Sequence, residues 1–414
     1  SVSTRHHQTI FRGHSGTEVL LAALTVWGVE KTLERTNGMF AFALWDRLQA
    51  QLTLARDRFG KKPLYYGWVN GAFVFGSELK ALRAHPGFKN EIDRNALTLY
   101  LRHNCVPAPY SIYQNIYKLS AGSILQLSLE EIQQSRGYAE VWDKIKRYWL
   151  AEQVCSLGQA EPFAESSDDI ADRLDVLLRD AVAGRMIADV PLGAFLSGGI
   201  DSSLVVALMQ AHSDRPVQTF TIGFHEAAHN EAEDARRVAE HLGTDHHEYY
   251  LSPQDVLDVV PRLPDIYDEP FADSSQIPTY LVSKFARQQI TVVLSGDGGD
   301  ELFGGYNRYA WVPALWIKMS HWPLLIRGGG AALLDFVPPH LWPKLMGMLG
   351  IDQRTPADKM QKLSNVLTAT SPAEIYKTLV THWERPVELV IDGDEPLTQL
   401  YFAKESIERF GVAE

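Results

Sequence analysis

Residues 190–203 read Val190-Pro-Leu-Gly-Ala-Phe-Leu-Ser-Gly-Gly-Ile-Asp-Ser-Ser203, and the reading of the whole chain turns on them. The run from Val190 to Leu196 predicts a buried strand, Ser197-Gly198-Gly199 a tight turn, and Ser202 to Ala211 a helix. Such a turn aims backbone N–H groups and the hydroxyls of Ser197, Ser202 and Ser203 into one small space, with the positive helix end behind them. That is a phosphate cradle. Glycine at 198 and 199 lets the backbone approach an anion closely. Asp201 is foreign to a phosphate site unless Mg2+ bridges its carboxylate to the phosphates. The loop is not of the Walker kind, because the only Gly-Lys pair, Gly60-Lys61, is followed by Lys62 and lies in another region.

Working outward, helix patterns over 169–183, 231–242 and 279–288 alternate with apolar strand patterns over 217–224, 246–251 and 290–294. Alternation of this kind means βαβ units and a parallel sheet covered on both faces, an α/β half. The last strand runs into a second glycine-rich loop, Ser295-Gly-Asp-Gly-Gly-Asp-Glu-Leu-Phe-Gly-Gly305. Asp297, Asp300 and Glu301 thus sit at the carboxyl end of a buried strand, where open α/β sheets bind ligands. One of these acids is suited to complete a Mg2+ site with Asp201, another to accept a proton or orient a substrate.

The first part has a different period. Residues 17–27 predict a helix closing at Gly28, and Met39 to Trp45, Leu52 to Ala55 and Ala72 to Phe75 predict antiparallel strands, with a turn at Asn70-Gly71. A hairpin is expected at Ala121-Gly122, and beyond Tyr306 the pattern is helical with frequent prolines. These shifts give boundaries at 1–88, a connector at 89–165, and an α/β domain at 166–414. The 414 residues carry 39 Lys+Arg against 51 Asp+Glu, so a net charge of −12 argues against a nucleic-acid partner or an anionic membrane surface. Cys105 and Cys155 offer neither a disulfide framework nor metal spacing, no apolar run reaches membrane-span length, and Ser1 to Gly16 holds no apolar core of signal-peptide length; a cytoplasmic setting is expected.

The two loops, the strand Thr219-Phe-Thr-Ile-Gly-Phe224 and the stretch Asp268-Glu-Pro-Phe-Ala-Asp-Ser-Ser275 together resemble the synthetase domain of glutamine-dependent asparagine synthetases, which are PP-loop ATP pyrophosphatases. Phe11-Arg-Gly-His-Ser15, Asn37 to Asp46 and Ala55 to Tyr66 resemble the second half of the same family's class II amidotransferase domain. The resemblance implies an α/β synthetase domain with a parallel sheet of the adenine-nucleotide α-hydrolase-like PP-loop fold, preceded by a partial α+β Ntn-hydrolase-type domain. It further implies a carbon–nitrogen ligase that turns ATP, aspartate and glutamine-derived ammonia into asparagine, AMP and pyrophosphate through an aspartyl-adenylate. Under it, Ser197, Gly198, Gly199, Ser202 and Ser203 hold the pyrophosphate, Asp201 and Asp300 the Mg2+, and Asp297 is the catalytic carboxylate. Phe195, Leu196, the backbone near Ile222, and Ser295-Gly296 hold the adenosine part. A homodimer is the expected assembly.

Three departures qualify that expectation. The family's N-terminal cysteine has no counterpart, since Ser1 precedes the Phe11-Arg-Gly-His14 motif by too few residues, and Gly16 stands where the family has the Asp that binds the glutamine amine. A lost glutaminase half-reaction is therefore expected, in a chain read as a piece missing both ends. Asp297 stands where the family typically has Glu, which keeps open another carboxylate acceptor, while the missing nucleophile and Gly16 keep open an inactive nucleotide-binding paralogue. The pairs His6-His7 and His246-His247 read as surface or strand positions, and Trp311, Trp316, Trp322 and Trp342 as helix packing. Arg56, Asp57 and Arg58 match the family motif but are equally suited to brace the sheet through ion pairs, and are assigned no catalytic role.

Overall fold

The structure is a computed structural model that describes residues 11–13, 15–134, 137–224, 231–348 and 356–398. His14, with the residues before Phe11 and after Thr398, lies outside that set. The chain divides into two compact units. Among the described residues the first holds 11–101, 105–160 and 385–398, and the second 102–104 and 161–384.

In the first unit, helix Gly16–Arg35 starts on Ser15, whose Oγ accepts the Thr17 N–H at 3.1 Å. The sequence predicts its end at Gly28. Instead Gly28, at φ 76°, makes a kink and the helix resumes as far as Arg35, because Val29 and Leu33 bury against Ala55 and Ile124. Strands β1 (Ala41–Asp46), β2 (Gln51–Arg56), β6 (Ser123–Ser128) and β7 (Ile145–Arg147) form one antiparallel sheet in the order β1-β2-β6-β7. Strands β3 (Tyr65–Val69), β4 (Ala72–Gly76) and β5 (Ile116–Lys118) form a second, ordered β4-β3-β5, with the expected turn at Asn70-Gly71 joining β3 to β4. Leu52, Leu54, Tyr66, Leu119, Leu125 and Leu127 bury together in one cluster.

Residues 89–165, read from the sequence as a connector, supply β5, β6 and β7 to these sheets. Ala121-Gly122 is not a hairpin: β5 pairs with β3 and β6 with β2, so the chain passes there from one sheet to the other. Gly122 is held at the crossing by donating to Asp57 O at 2.8 Å and accepting from Tyr148 N at 2.9 Å. The segment 385–398 returns to this unit after the second is complete. Thr98 Oγ1 donates to Asp394 O at 2.9 Å, and Asp394 N donates to Asn95 Oδ1 at 2.8 Å.

The second unit contains β8 (Leu192–Phe195), β9 (Gln218–Phe224), β10 (Asp245–Leu251) and β11 (Val292–Leu294) in a wholly parallel sheet ordered β10-β9-β8-β11. The parallel α/β half expected from the sequence is present. Helices Ser167–Met186, Ile200–Ala211, Ala232–Leu242 and Gln276–Ala286 alternate with the strands. Ala194, Leu196, Val206, Met209 and Ala235 pack in one cluster, and Phe220, Ala286 and Ile290 in another. From β8 the chain moves outward through β9 to β10, then returns to place β11 on the other side of β8. The order reverses between β8 and β11, and a crevice opens outside their carboxyl ends at such a reversal.

Helices Asn307–Ser320, Leu324–Phe336, Pro356–Leu367 and Pro372–Val380 complete the unit, with Val312, Met319, Val366 and Ile375 buried among them. Trp316 packs there as expected, but Trp311 and Trp322 are 64% and 58% exposed. Among the described residues no helix is long and apolar enough to cross a membrane.

Candidate functional site

The carboxyl end of β8 is pinned before the first loop begins. Leu196 N donates to Phe220 O at 3.0 Å, and Leu196 O accepts the buried Thr221 hydroxyl at 2.5 Å. The loop then folds on its own hydroxyls. Ser197 N donates to Ser202 Oγ at 3.2 Å, Gly199 N to Ser197 Oγ at 3.3 Å, and the two serine oxygens lie 2.9 Å apart. Gly198 takes φ 79°, and a Cβ there would lie 2.7 Å from Ala235 N, in the first turn of helix 232–242. The loop thus carries one helix N-terminus and touches a second. Ser203 Oγ is buried with no hydrogen-bond partner among the described residues, so a donor is left for an acceptor to complete.

The second loop lies directly on the first. A Cβ on Gly296 would come within 2.7 Å of Ser202 N, and one on Gly299 within 2.5 Å of Asp201 Oδ2. Asp201 therefore rests its carboxylate on the residue that precedes Asp300. Asp300 belongs to the first turn of helix Gly299–Phe303, and its carboxylate lies against Gly305, whose N–H bonds Asp300 O at 2.9 Å. Asp297 accepts the Ser295 hydroxyl at 2.9 Å. Of the predicted residues, Ser197 to Gly199, Asp201, Ser202, Ser295 and Gly296 are so brought to the β8/β11 crevice, with Asp297 to Asp300 continuing the same loop.

Phe195 and Ile222 are placed differently. Phe195 packs beside Phe220, Ala286 and Ile290, and Ile222 lies two residues before the end of β9 with its side chain beside Leu251, Val259 and Leu281. Gly16 is the first residue of helix 16–35, and a Cβ there would have nothing within 4 Å. The nearby acid, Glu18, accepts Arg12 N and Gly13 N at 2.8 and 2.9 Å.

The sequence reading gave no role to a group set just downstream. Tyr306 donates its hydroxyl to Glu301 Oε1 at 2.9 Å, and this bond pushes the phenol up to about 12. The Arg308 guanidinium stacks over the Tyr306 ring at 4.3 Å. The only local signal was a spacing of five residues across Gly304-Gly305.

Among the described residues no group of three or more His, Cys, Asp or Glu side chains is suited to hold a metal ion. Mg2+ on a nucleotide asks for less, one or two carboxylates plus phosphate oxygens and water, and Asp201 with Asp300 on two apposed loops fits that demand. His246 and His247 occupy β10, with His246 Nδ1 2.9 Å from Thr219 Oγ1. Arg56, Asp57 and Arg58 brace their sheet through backbone groups rather than through ion pairs. Arg56 donates to the carbonyls of Gly60, Lys62 and Leu119, Arg58 to those of Thr36 and Glu34 at the end of helix 16–35, and Asp57 accepts from Phe40, Lys61 and Lys62.

Comparison with known proteins agrees with this architecture. A family model described as asparagine synthase matches residues 173–409, and one described as a glutamine amidotransferase domain matches 3–139. A Methanocaldococcus jannaschii protein, provisionally named glutamine-hydrolysing asparagine synthetase 2, is 40% identical over 70% of this chain and 53% of its own length. Glutamine-hydrolysing asparagine synthetase 1 of Bacillus subtilis is 35% identical over 72% of this chain and 44% of its own. Asparagine synthetase B of Escherichia coli is 31% identical over 72% and 48%. The chain spans about half the length of these relatives. With both glycine-rich loops at the switch point of a parallel sheet and the asparagine synthase model matched over more than half the chain, this protein belongs to the asparagine synthase family.

Proposed function

We propose that the chain carries the synthetase half of a glutamine-dependent asparagine synthetase, making a carbon–nitrogen bond at the expense of ATP. The observation that carries this reading is the seating of the acidic loop on the phosphate cradle, Gly296 against Ser202 and Gly299 against Asp201. The backbone N–H groups of 197–199 with Ser202 and Ser203 hold the pyrophosphate of ATP, while the β8 end at Phe195-Leu196, the backbone near Ile222, and Ser295-Gly296 take the adenosine part. Asp201 and Asp300 would hold Mg2+, which, when bound, neutralises charge growing on the leaving pyrophosphate.

An oxygen of the substrate's side-chain carboxylate attacks the α-phosphorus, and the bond to the β-phosphate bridging oxygen breaks. Pyrophosphate departs on the cradle, where the converging helix ends stabilise it. Ammonia then attacks the acyl carbon of the aspartyl-adenylate, AMP leaves, and Asp297, steadied by Ser295, takes the proton released from nitrogen. Ammonia is taken up as such: Gly16 offers no carboxylate, and Glu18 is engaged by its own loop. Asp297 is one methylene shorter than the glutamate of the family pattern, which favours as second reading an acceptor carboxylate other than aspartate.

The deciding assay measures AMP and pyrophosphate release from Mg·ATP with aspartate and ammonium, with glutamine in place of ammonium, and with other carboxylates in place of aspartate. Aspartate-dependent AMP with ammonium but not glutamine is the expected result. AMP that requires another carboxylate establishes the second reading, and Mg·ATP binding without AMP for any acceptor overturns both.

A further inference from the structure

The second unit contains a polar cavity of about 340 Å3 with no residue of either glycine-rich loop in its described lining, walled by helices 356–367 and 372–380 and the residues that follow them. Among the described residues four charged side chains line it: Arg102 and Lys377, Glu374 and Glu384. Its volume is at the small end of ligand pockets. Arg102 is only 8% exposed, so an obligatory cation is buried in the wall.

The frame fixes these groups. Arg102 Nη2 donates to Glu384 O at 3.1 Å, and Arg102 O accepts His382 N at 3.0 Å. Asn365 Nδ2 donates to Glu384 Oε1. Glu374 Oε2 accepts both the N–H and the hydroxyl of Thr370, at 2.6 and 2.8 Å. The Thr368 and Thr378 hydroxyls donate to Asn365 O and Glu374 O, which leaves their oxygens as acceptors facing a polar space. Preorganised polar walls of this kind lower the ordering cost of binding.

We propose that this cavity binds a free α-amino acid, its carboxylate toward Arg102 and Lys377 and its ammonium toward Glu384 and Glu374. The argument is one of charge balance. The described lining offers two cations, of which Arg102 is buried, and two anions, so a ligand with one charge of each sign meets a partner for each, whereas a lone anion or cation meets only half of them. The cavity shares no described lining residue with the proposed reaction site, and the inference does not depend on that reading.

The test is isothermal titration calorimetry of the purified full chain, without ATP, against the individual L-amino acids, and against propionate and ethylamine as probes with one charge each. At least one amino acid binds, the single-charge probes bind at least about ten-fold more weakly, and the signal falls by about ten-fold or more in both Lys377→Met and Glu384→Gln. Because Lys377 lies on a surface helix and Gln at 384 can still pair with Asn365, circular dichroism of both variants should match the parent. No binding by any amino acid up to about 10 mM, or binding unaltered in both variants, overturns the proposal; the second result assigns the signal to the reaction site instead.

Discussion

The α-carbon of Gly296 faces the amide nitrogen of Ser202 so closely that a Cβ would stand 2.7 Å from it. Backbone cannot yield as a flexible side chain does, so Gly296→Ala must part the two loops. Mg·ATP affinity is expected to fall by at least about ten-fold with little change in melting temperature. Dialysis binding with labelled ATP checks this, and parental affinity in the variant would show that the loops do not act together.

Asp201 and Asp300 are proposed to serve the nucleotide's metal and not the fold. Asp201→Asn and Asp300→Asn are therefore expected to abolish pyrophosphate release, a loss of about 1,000-fold or more, while unfolding by urea stays within about 0.5 kcal/mol of the parent. Full activity in either variant refutes the assignment for that residue.

Asp57 has the opposite character. It is 2% exposed and accepts from Lys61, Lys62 and Phe40 N–H groups at 2.9, 3.0 and 3.2 Å. Asp57→Ala strands three donors and should cost about 3 kcal/mol, with Asp57→Asn in between. Urea denaturation followed by tryptophan fluorescence measures it, and a loss under about 1 kcal/mol would contradict the role.

Tyr306 is held up to about 12 chiefly by its bond to Glu301. Glu301→Gln keeps an acceptor oxygen but removes the charge that strengthens the bond and opposes the phenolate, so the phenol should ionise at lower pH. Ultraviolet difference titration, with Tyr306→Phe subtracted to isolate the residue, reads the shift directly. An unchanged or higher midpoint would mean that the bond is not the cause.

Burial holds His246 below its ordinary value of 6.5, against the opposing pull of Glu248. The unfolded chain therefore takes up the proton first, so this residue's contribution to stability is present above 6.5 and is lost as pH falls toward the folded value. Between pH 7.5 and 5.5 the parent should lose more melting temperature than His246→Gln does. Equal losses would show that His246 does not titrate differently on folding.

The parallel half was legible because short apolar runs such as Leu192–Phe195 and Val292–Leu294 are set between helical periods of about ten or more residues. The phosphate cradle was legible for a similar reason, since glycine and serine at fixed offsets between strand and helix leave few other geometries. What could not be read was partnership at a distance. β6 pairs with β2 across some seventy positions, and nothing local distinguishes that from the hairpin expected at Ala121-Gly122. β3 escaped notice because Tyr65-Tyr-Gly-Trp-Val69 is buried throughout and shows no alternation. Likewise the five residues of the cradle could be named, but not that Gly296 would lie upon Ser202, nor that Tyr306 would reach back to Glu301.

The late return of residues 385–398 to the first unit orders events during synthesis. Asn95 and Thr98 meet Asp394 only after nearly three hundred further residues have been made, so the earlier unit waits on the later one for its last hydrogen bonds. Domains that emerge first ordinarily fold first and independently. Here the thread is interleaved: the second unit can close as an uninterrupted stretch from Glu161 to Glu384 apart from the short piece at 102–104, while the first stays open at one edge until its closing strap arrives. A ribosome stalled ahead of Arg385 would therefore hold a nascent chain whose older part is the less protected one, reversing the usual gradient of protease resistance along a growing polypeptide.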